Sequence, residues 1–138
     1  MRALVTRRAR LRRGRVRAGR TKRAAAQAKK LAMFDALEMS LQFLERLVPL
    51  ETRIRRRSAS LAKQLADASE SIALNLGEGR LRHAGDKRRH FEMAAGSASE
   101  VTVALRIAVA KRYVTTAEIA ELDAVLDRIR AMLYRLTR

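Results

Sequence analysis

Few side chains in this sequence have the types and spacing that chemistry requires. His83 and His90 are the only histidines, seven residues apart around Gly85, with Asp86 and Glu92 nearby. A zinc site needs about four ligands. No H-x-x-x-H spacing is present, so no metal is expected. There is no Cys, which excludes a disulfide scaffold, a thiolate metal site and a Cys nucleophile. Neither a phosphate loop nor a G-x-S-x-G element occurs. Gly77 and Gly79 fall inside a helical pattern rather than after a strand, which argues against a nucleotide fingerprint. Asn75, Glu78 and Glu100 are the best catalytic candidates that remain, and their positions read as structural. No enzyme activity and no cofactor are expected. Glu38, Glu45, Asp67, Glu70, Glu121 and Asp127 occupy positions that a solvated helix face would use. Pairing with nearby Arg or Lys there is worth only a few tenths of a kcal/mol, roughly 0.2–0.5 per pair.

Positive charge is the chemistry that is abundant. The 138 residues hold 31 Lys plus Arg against 14 Asp plus Glu, a net charge of +17. Residues 1–30 carry 13 of the basic residues and no acid, so the rest of the chain has a net charge of only +4. Arg7 to Arg17 offers too little apolar surface to offset chain entropy and charge repulsion. Residues 1–30 are therefore expected to form a disordered basic tail, and residues 31–138 the folded domain. Arg outnumbers Lys 25 to 6, and Arg grips phosphate with paired hydrogen bonds. Two further basic clusters lie on the body. Arg53, Arg55, Arg56 and Arg57 form one. Arg80, Arg82, Lys87, Arg88 and Arg89 form the other. Both are candidate nucleic-acid contacts. With no aromatic residue in the second, binding should be led by phosphate and weak in sequence preference.

Four amphipathic helices must position these groups. In the first, from Ala24 or Leu31 to Val48, Phe34, Leu37, Leu41, Leu44 and Val48 are spaced 3, 4, 3, 4 and make an apolar seam. Pro49 lacks a donor and restricts the residue before it, so this helix is expected to stop at Val48. Leu50 to Arg57 then read as a basic connection. The second helix starts near Ser58 or Ser60, runs to about Leu81, and carries Leu61, Leu65, Ala68, Ile72 and Leu76 on one stripe. Gly85 breaks the pattern, and Asp86 is the expected N-cap of the third helix, which runs from about Lys87 to Lys111 or Tyr113. Its inner face holds Phe91, Ala94, Ala98, Val101, Leu105 and Ala108. The fourth opens with the capping-box pair Thr115 and Glu118 and continues through Ile119, Leu122, Leu126, Ile129, Leu133 and Leu136. Short connections make neighbours antiparallel, so the expected fold is an all-α, up-down four-helix bundle. No run approaches the ~18 uninterrupted apolar residues of a membrane span, the best stretch being broken by Arg106. The absence of Cys fits a reducing compartment, and a cytoplasmic location is expected.

The second helix contains Ser71-Ile72-Ala73-Leu74-Asn75-Leu76-Gly77-Glu78-Gly79. Two glycines inside a helix cost on the order of 1 kcal/mol each relative to Ala, so either the helix ends there or a neighbour packs close. Asn75 falls on the apolar stripe, and a buried amide needs partners. Ser97 and Glu100 share a face of the third helix. A polar layer of Asn75 with Ser97 or Glu100 is expected to set helix register.

These residues carry a resemblance. The chain resembles the four-helix-bundle proteins encoded in intervening sequences of bacterial 23S ribosomal RNA genes. Their second helix has the form S-I-x-x-N-I-A-E-G and their third carries G-S-x-x-E. Ser71, Ile72, Asn75, Glu78 and Gly79 match the first, and Gly96, Ser97 and Glu100 match the second. Leu76 stands where the family has Ile, Gly77 where it has Ala, and Leu74 where it has Pro or Ser. The resemblance covers residues 31–137. It implies a homo-oligomer, with pentameric barrels the known type, and a non-catalytic role. It also points to a related branch, the accessory proteins of diversity-generating retroelements, which bind a reverse transcriptase and nucleic acid through a basic surface. The expected function is a homo-oligomeric bundle that binds RNA or DNA through basic surfaces. The alternative is a protein-interaction scaffold, for example for a reverse transcriptase, with no nucleic-acid affinity of its own.

Overall fold

Chains rich in Ala, Leu, Arg and Glu favour helix, and four helices form: α1 (Arg2–Arg57), α2 (Ala59–Leu81), α3 (Ala84–Ala110) and α4 (Thr116–Leu136). The computed structural model describes the backbone of residues 2–138 and the side chains of residues 18–138. No strand occurs among the described residues. Contacts divide the chain into two units, Met1–Ala32 and Met33–Arg138.

In the first unit the backbone is helical. Side chains of residues 1–17 lie outside the described residues. Residues 18–31, with Arg20, Lys22, Arg23, Lys29 and Lys30, are exposed throughout. Helix in that stretch therefore rests on the intrinsic preference of Ala, Arg and Lys, without a buried face to support it.

The second unit is an antiparallel four-helix bundle. Neighbours are identified by side-chain contacts. Ser97 of α3 bonds to Ser71 of α2, while Arg46 and Arg53 of α1 pair with Glu121 and Glu118 of α4. The stripes on α2, α3 and α4 are buried as their periodicity predicts, with Leu65, Val101, Leu105, Ile129 and Leu133 fully enclosed. Ser58 caps α2, its Oγ accepting from Leu61 N at 3.2 Å. Thr115 and Glu118 complete the capping box of α4. α3 begins three residues earlier than expected, with His83 at the N-cap position and Asp86 inside the first turn.

α1 departs from expectation twice. It does not stop at Val48: Pro49 lies inside the helix, which continues to Arg57. The reason is Leu50 and Ile54, which are buried one and two turns beyond Leu47. A helix-interior Pro costs about 3 kcal/mol. Burying two large aliphatic side chains returns about 1.5–3 kcal/mol each, which offsets that loss. The second departure concerns the seam. The core face is Met33, Ala36, Ser40, Phe43, Leu47, Leu50 and Ile54. The seam expected from sequence is rotated by one residue from it, and Phe34, Leu41 and Val48 remain 55%, 43% and 59% exposed. Both registers have 3–4 spacing, so periodicity alone could not choose between them. Ser40 is tolerated in the core because its Oγ donates to the Ala36 carbonyl at 2.7 Å.

α3 is long and apolar enough to cross a membrane by length and composition, with 33% of its most apolar stretch buried in the bundle. Counting uninterrupted apolar residues had excluded a span. Averaging over the helix, which tolerates Glu100 and Arg106, does not.

Candidate nucleic-acid interface and polar layer

The polar layer forms between α2 and α3, with partners that differ from those expected. Asn75 Nδ2 donates to the Ser71 carbonyl at 3.0 Å and to Ser71 Oγ at 3.1 Å. Its Oδ1 lies 3.1 Å from His90 Nδ1. A carbonyl oxygen only accepts, so the proton of this bond sits on His90 Nδ1. Ser97 Oγ donates to Ser71 Oγ at 2.8 Å. The connected set is therefore Ser97, Ser71, Asn75 and His90. Asn75 is half-buried and meets His90, not Ser97 or Glu100. Glu100 is exposed and lines a polar groove of about 580 Å3 with Gln64, Asp67, Ala68, Ser71 and Ser97. Sequence reasoning had set His90 aside as a weak metal ligand. Its place fifteen residues after Asn75, across a helix turn, became visible only with the α2–α3 packing.

Gly79 explains half of the glycine pair. A Cβ built there would stand 2.7 and 2.9 Å from the Phe91 ring and 3.1 Å from the His90 Cβ. Phe91 is fully buried and has no room to withdraw. Gly79 therefore lets α3 approach the α2 backbone beside the polar layer. A Cβ at Gly77 would meet nothing within 4 Å, so no packing reason for glycine exists there. Among the described residues no group of three or more His, Cys, Asp or Glu stands close enough to hold a metal ion.

The two basic clusters occupy opposite ends of the bundle, and ion pairs take part of each. In the first, Arg53 is bonded to Glu118, and Arg55 pairs with Glu51 at 2.6 Å. Glu118 is held below the usual carboxylate range, chiefly by the Arg53 guanidinium and next by the Thr115 backbone amide. Arg56 and Arg57 are exposed and make no ion pair among the described residues. In the second cluster, Arg82 reaches Glu78 at 3.1 Å and Asp86 at 3.8 Å, and Arg88 pairs with Glu92 at 2.8 Å. Arg80, Lys87 and Arg89 carry no such partner there.

Three residues that sequence reasoning passed over join the first cluster. The α3–α4 connection brings Lys111, Arg112 and Tyr113 to the same end as Arg56 and Arg57. The Arg57 guanidinium lies 5.5 Å and the Lys111 ammonium 6.0 Å from the centre of the half-buried Tyr113 ring. This aromatic and its two cations come from segments more than fifty residues apart, and no local pattern announces the pairing. The result is one end of the bundle where Arg56, Arg57, Lys111 and Arg112 are exposed without an ion pair among the described residues, with Arg57 and Lys111 over the Tyr113 ring.

Comparisons with known proteins agree with this architecture. The bundle is similar to a crystal structure of a protein with unknown function from the S23 ribosomal protein family of Bacteroides thetaiotaomicron VPI-5482. The TM-score is 0.69 at 20% identity, covering 75% of this chain and 98% of that one. No curated protein matches the sequence. Residues 33–135, nearly the whole second unit, match the family described as 23S rRNA-intervening sequence protein. With that match spanning all four helices and the polar layer between α2 and α3, the chain belongs to the 23S rRNA-intervening sequence protein family.

Proposed function

We propose that this chain is a non-enzymatic, self-associating bundle that works in the cytoplasm and holds RNA or DNA by its phosphates. The observation that carries the reading is the end of the bundle that gathers Arg56, Arg57, Lys111 and Arg112, none with a carboxylate partner among the described residues. Charge left unpaired in a protein of net charge +17 attracts polyanions at long range. Arg80, Lys87 and Arg89 at the opposite end add to the same field, and residues 18–30 carry exposed cations of their own. Self-association is supported by the exposed row of Phe34, Leu41 and Val48 on α1. Such a row has the spacing of a helix–helix seam and is left uncovered among the described residues. A pentamer is the stoichiometry that the resemblance implies. In a ring, each basic end would repeat around a rim and the local potential would multiply. No cofactor, metal or membrane partner enters the reading.

The same apolar row favours a second reading, an adaptor that docks another protein such as a reverse transcriptase, as the resemblance to retroelement accessory proteins suggests. Salt separates the two. Full-length protein is titrated into labelled structured RNA and duplex DNA across a salt series, with its mass measured in parallel. Phosphate-led binding loses affinity steeply as salt rises. Absence of binding at moderate salt removes the nucleic-acid reading and leaves the adaptor.

A further inference from the structure

The backbone at the basic end contains a strained residue. α3 closes with the Tyr113 amide donating to the Ala108 carbonyl and the Arg112 amide to the Val109 carbonyl, both at 2.9 Å. This is a Schellman closure, with Arg112 at the position just past the helix cap. Its φ is 60°, in the left-handed region. Glycine normally fills that position because a Cβ there collides with the following carbonyl. Among the described residues one other non-glycine residue is left-handed, Ala84 at φ 46° in the α2–α3 connection, which brings no charge to its turn; here the residue is arginine.

No internal partner accounts for the choice. Arg112 is exposed and forms no ion pair or side-chain hydrogen bond among the described residues. Its charge does complement the C-terminal end of the α3 dipole, but Lys111, the cap residue, already supplies a cation there. A strained conformation at a charged residue with no ion pair or side-chain hydrogen bond among the described residues points to a role outside the chain. Arg112 directly precedes Tyr113 in the chain, and Arg57 and Lys111 flank the Tyr113 ring.

We propose that Arg112 is a phosphate anchor, and that Arg57, Lys111 and Arg112 around Tyr113 form a defined site for a nucleic-acid backbone phosphate. This rests on the nucleic-acid reading above and assigns its main contact to this end of the bundle. Arg56 is adjacent and reinforces the site. At the α2–α3 end, Arg82 and Arg88 are already engaged by Glu78, Asp86 and Glu92, which leaves a weaker field.

The test uses full-length protein and two variants, Arg112→Gly and Arg112→Lys. Glycine relieves the backbone and removes the charge. Lysine keeps both strain and charge. Thermal unfolding of Arg112→Gly is expected to shift upward by about 4 °C, the order of magnitude for relieving one left-handed residue in a domain of this size. Its affinity for labelled duplex RNA at low salt is expected to fall several-fold, with a slope in log salt shallower by about one ion. Arg112→Lys should lie near wild type in both. The proposal is overturned if Arg112→Gly is more stable and binds RNA as well as wild type, or if it is less stable, which would make Arg112 a structural cap. Inorganic tripolyphosphate, titrated by calorimetry, separates the two levels. Binding of tripolyphosphate that Arg112→Gly weakens, without RNA binding, keeps the phosphate site and removes the nucleic-acid reading. Binding of neither removes both.

Discussion

Gly77 and Gly79 sit two residues apart in one helix, and their substitutions should have opposite effects. Replacing either with alanine removes the same backbone penalty, about 0.5–1 kcal/mol in favour of the variant. At Gly77 nothing lies within 4 Å of the new Cβ, so Gly77→Ala should raise stability by about that amount. At Gly79 the Cβ would be 2.7 Å from one carbon of the Phe91 ring. Such overlap against a fully enclosed ring costs about 1–3 kcal/mol. The propensity gain is common to both variants and cancels in their difference. Gly77→Ala should therefore exceed Gly79→Ala in stability by about 1–3 kcal/mol, the overpacking cost alone. Urea unfolding at one fixed protein concentration measures it, because self-association would shift the midpoint otherwise. Phe91→Leu should recover part of the Gly79→Ala loss, giving a coupling of about 1–2 kcal/mol in a double-mutant cycle. Equal stabilities within about 0.3–0.5 kcal/mol, with no coupling to Phe91, would refute the close approach of α3 to the α2 backbone.

Three other outcomes follow from the packing and the charges. Ile54→Ala should cost about 2–5 kcal/mol, while Val48→Ala should stay within about 0.5 kcal/mol in the dissociated protein. Denaturation of both checks whether α1 continues past Pro49 into the core. Asn75→Ala should cost about 1–3 kcal/mol, because it leaves His90 Nδ1 without its partner, whereas Glu100→Ala should be near neutral; a large loss at Glu100 would place it back in the polar layer. Two carboxylates should respond to pH with opposite sign. Glu118 has its folded pKa lowered by Arg53 and the Thr115 amide. Its contribution is complete above the unfolded carboxylate range and is lost as pH falls through the folded value, so Glu118→Gln should flatten that acid limb. Asp123 is pushed up, first by desolvation and then by Asp127. Its charged form opposes folding, so Asp123→Asn should be slightly more stable than wild type near neutrality, with the gain vanishing as acid protonates the wild-type side chain.

Among relations within a helix, those with one apolar register were readable from the chain. Ile119 to Leu136 has a single possible inner face, and every member of it is buried. The capping box at Thr115 and Glu118 and the cap at Ser58 were readable too, because capping is a contact across three residues. α1 was not, since it has two apolar registers one residue apart. Met33, Ala36 and Ser40 are smaller or more polar than Phe34, Leu37 and Leu41, so the exposed register looked the better core. Only packing against the other helices selected the register that continues to Leu50 and Ile54, and that selection also carried the helix through Pro49.

The site shows the same division. From residue types alone, the sequence by itself determined an all-helical chain, a large positive charge and an amide on an apolar stripe that needed partners. Which partner the amide found, His90 rather than Ser97 or Glu100, depended on the axial offset of α2 against α3, and Gly79 sets how closely they approach. Which cations stayed unneutralised depended on where α4 placed Glu118 and Glu121 along α1. The meeting of Arg57, Lys111 and Tyr113 depended on closing two connections at one end. These are contacts between residues distant in sequence. Local propensity and periodicity act over a few residues, so they specify helices and stripes, while register, charge pairing and end-to-end convergence are set only when the helices pack.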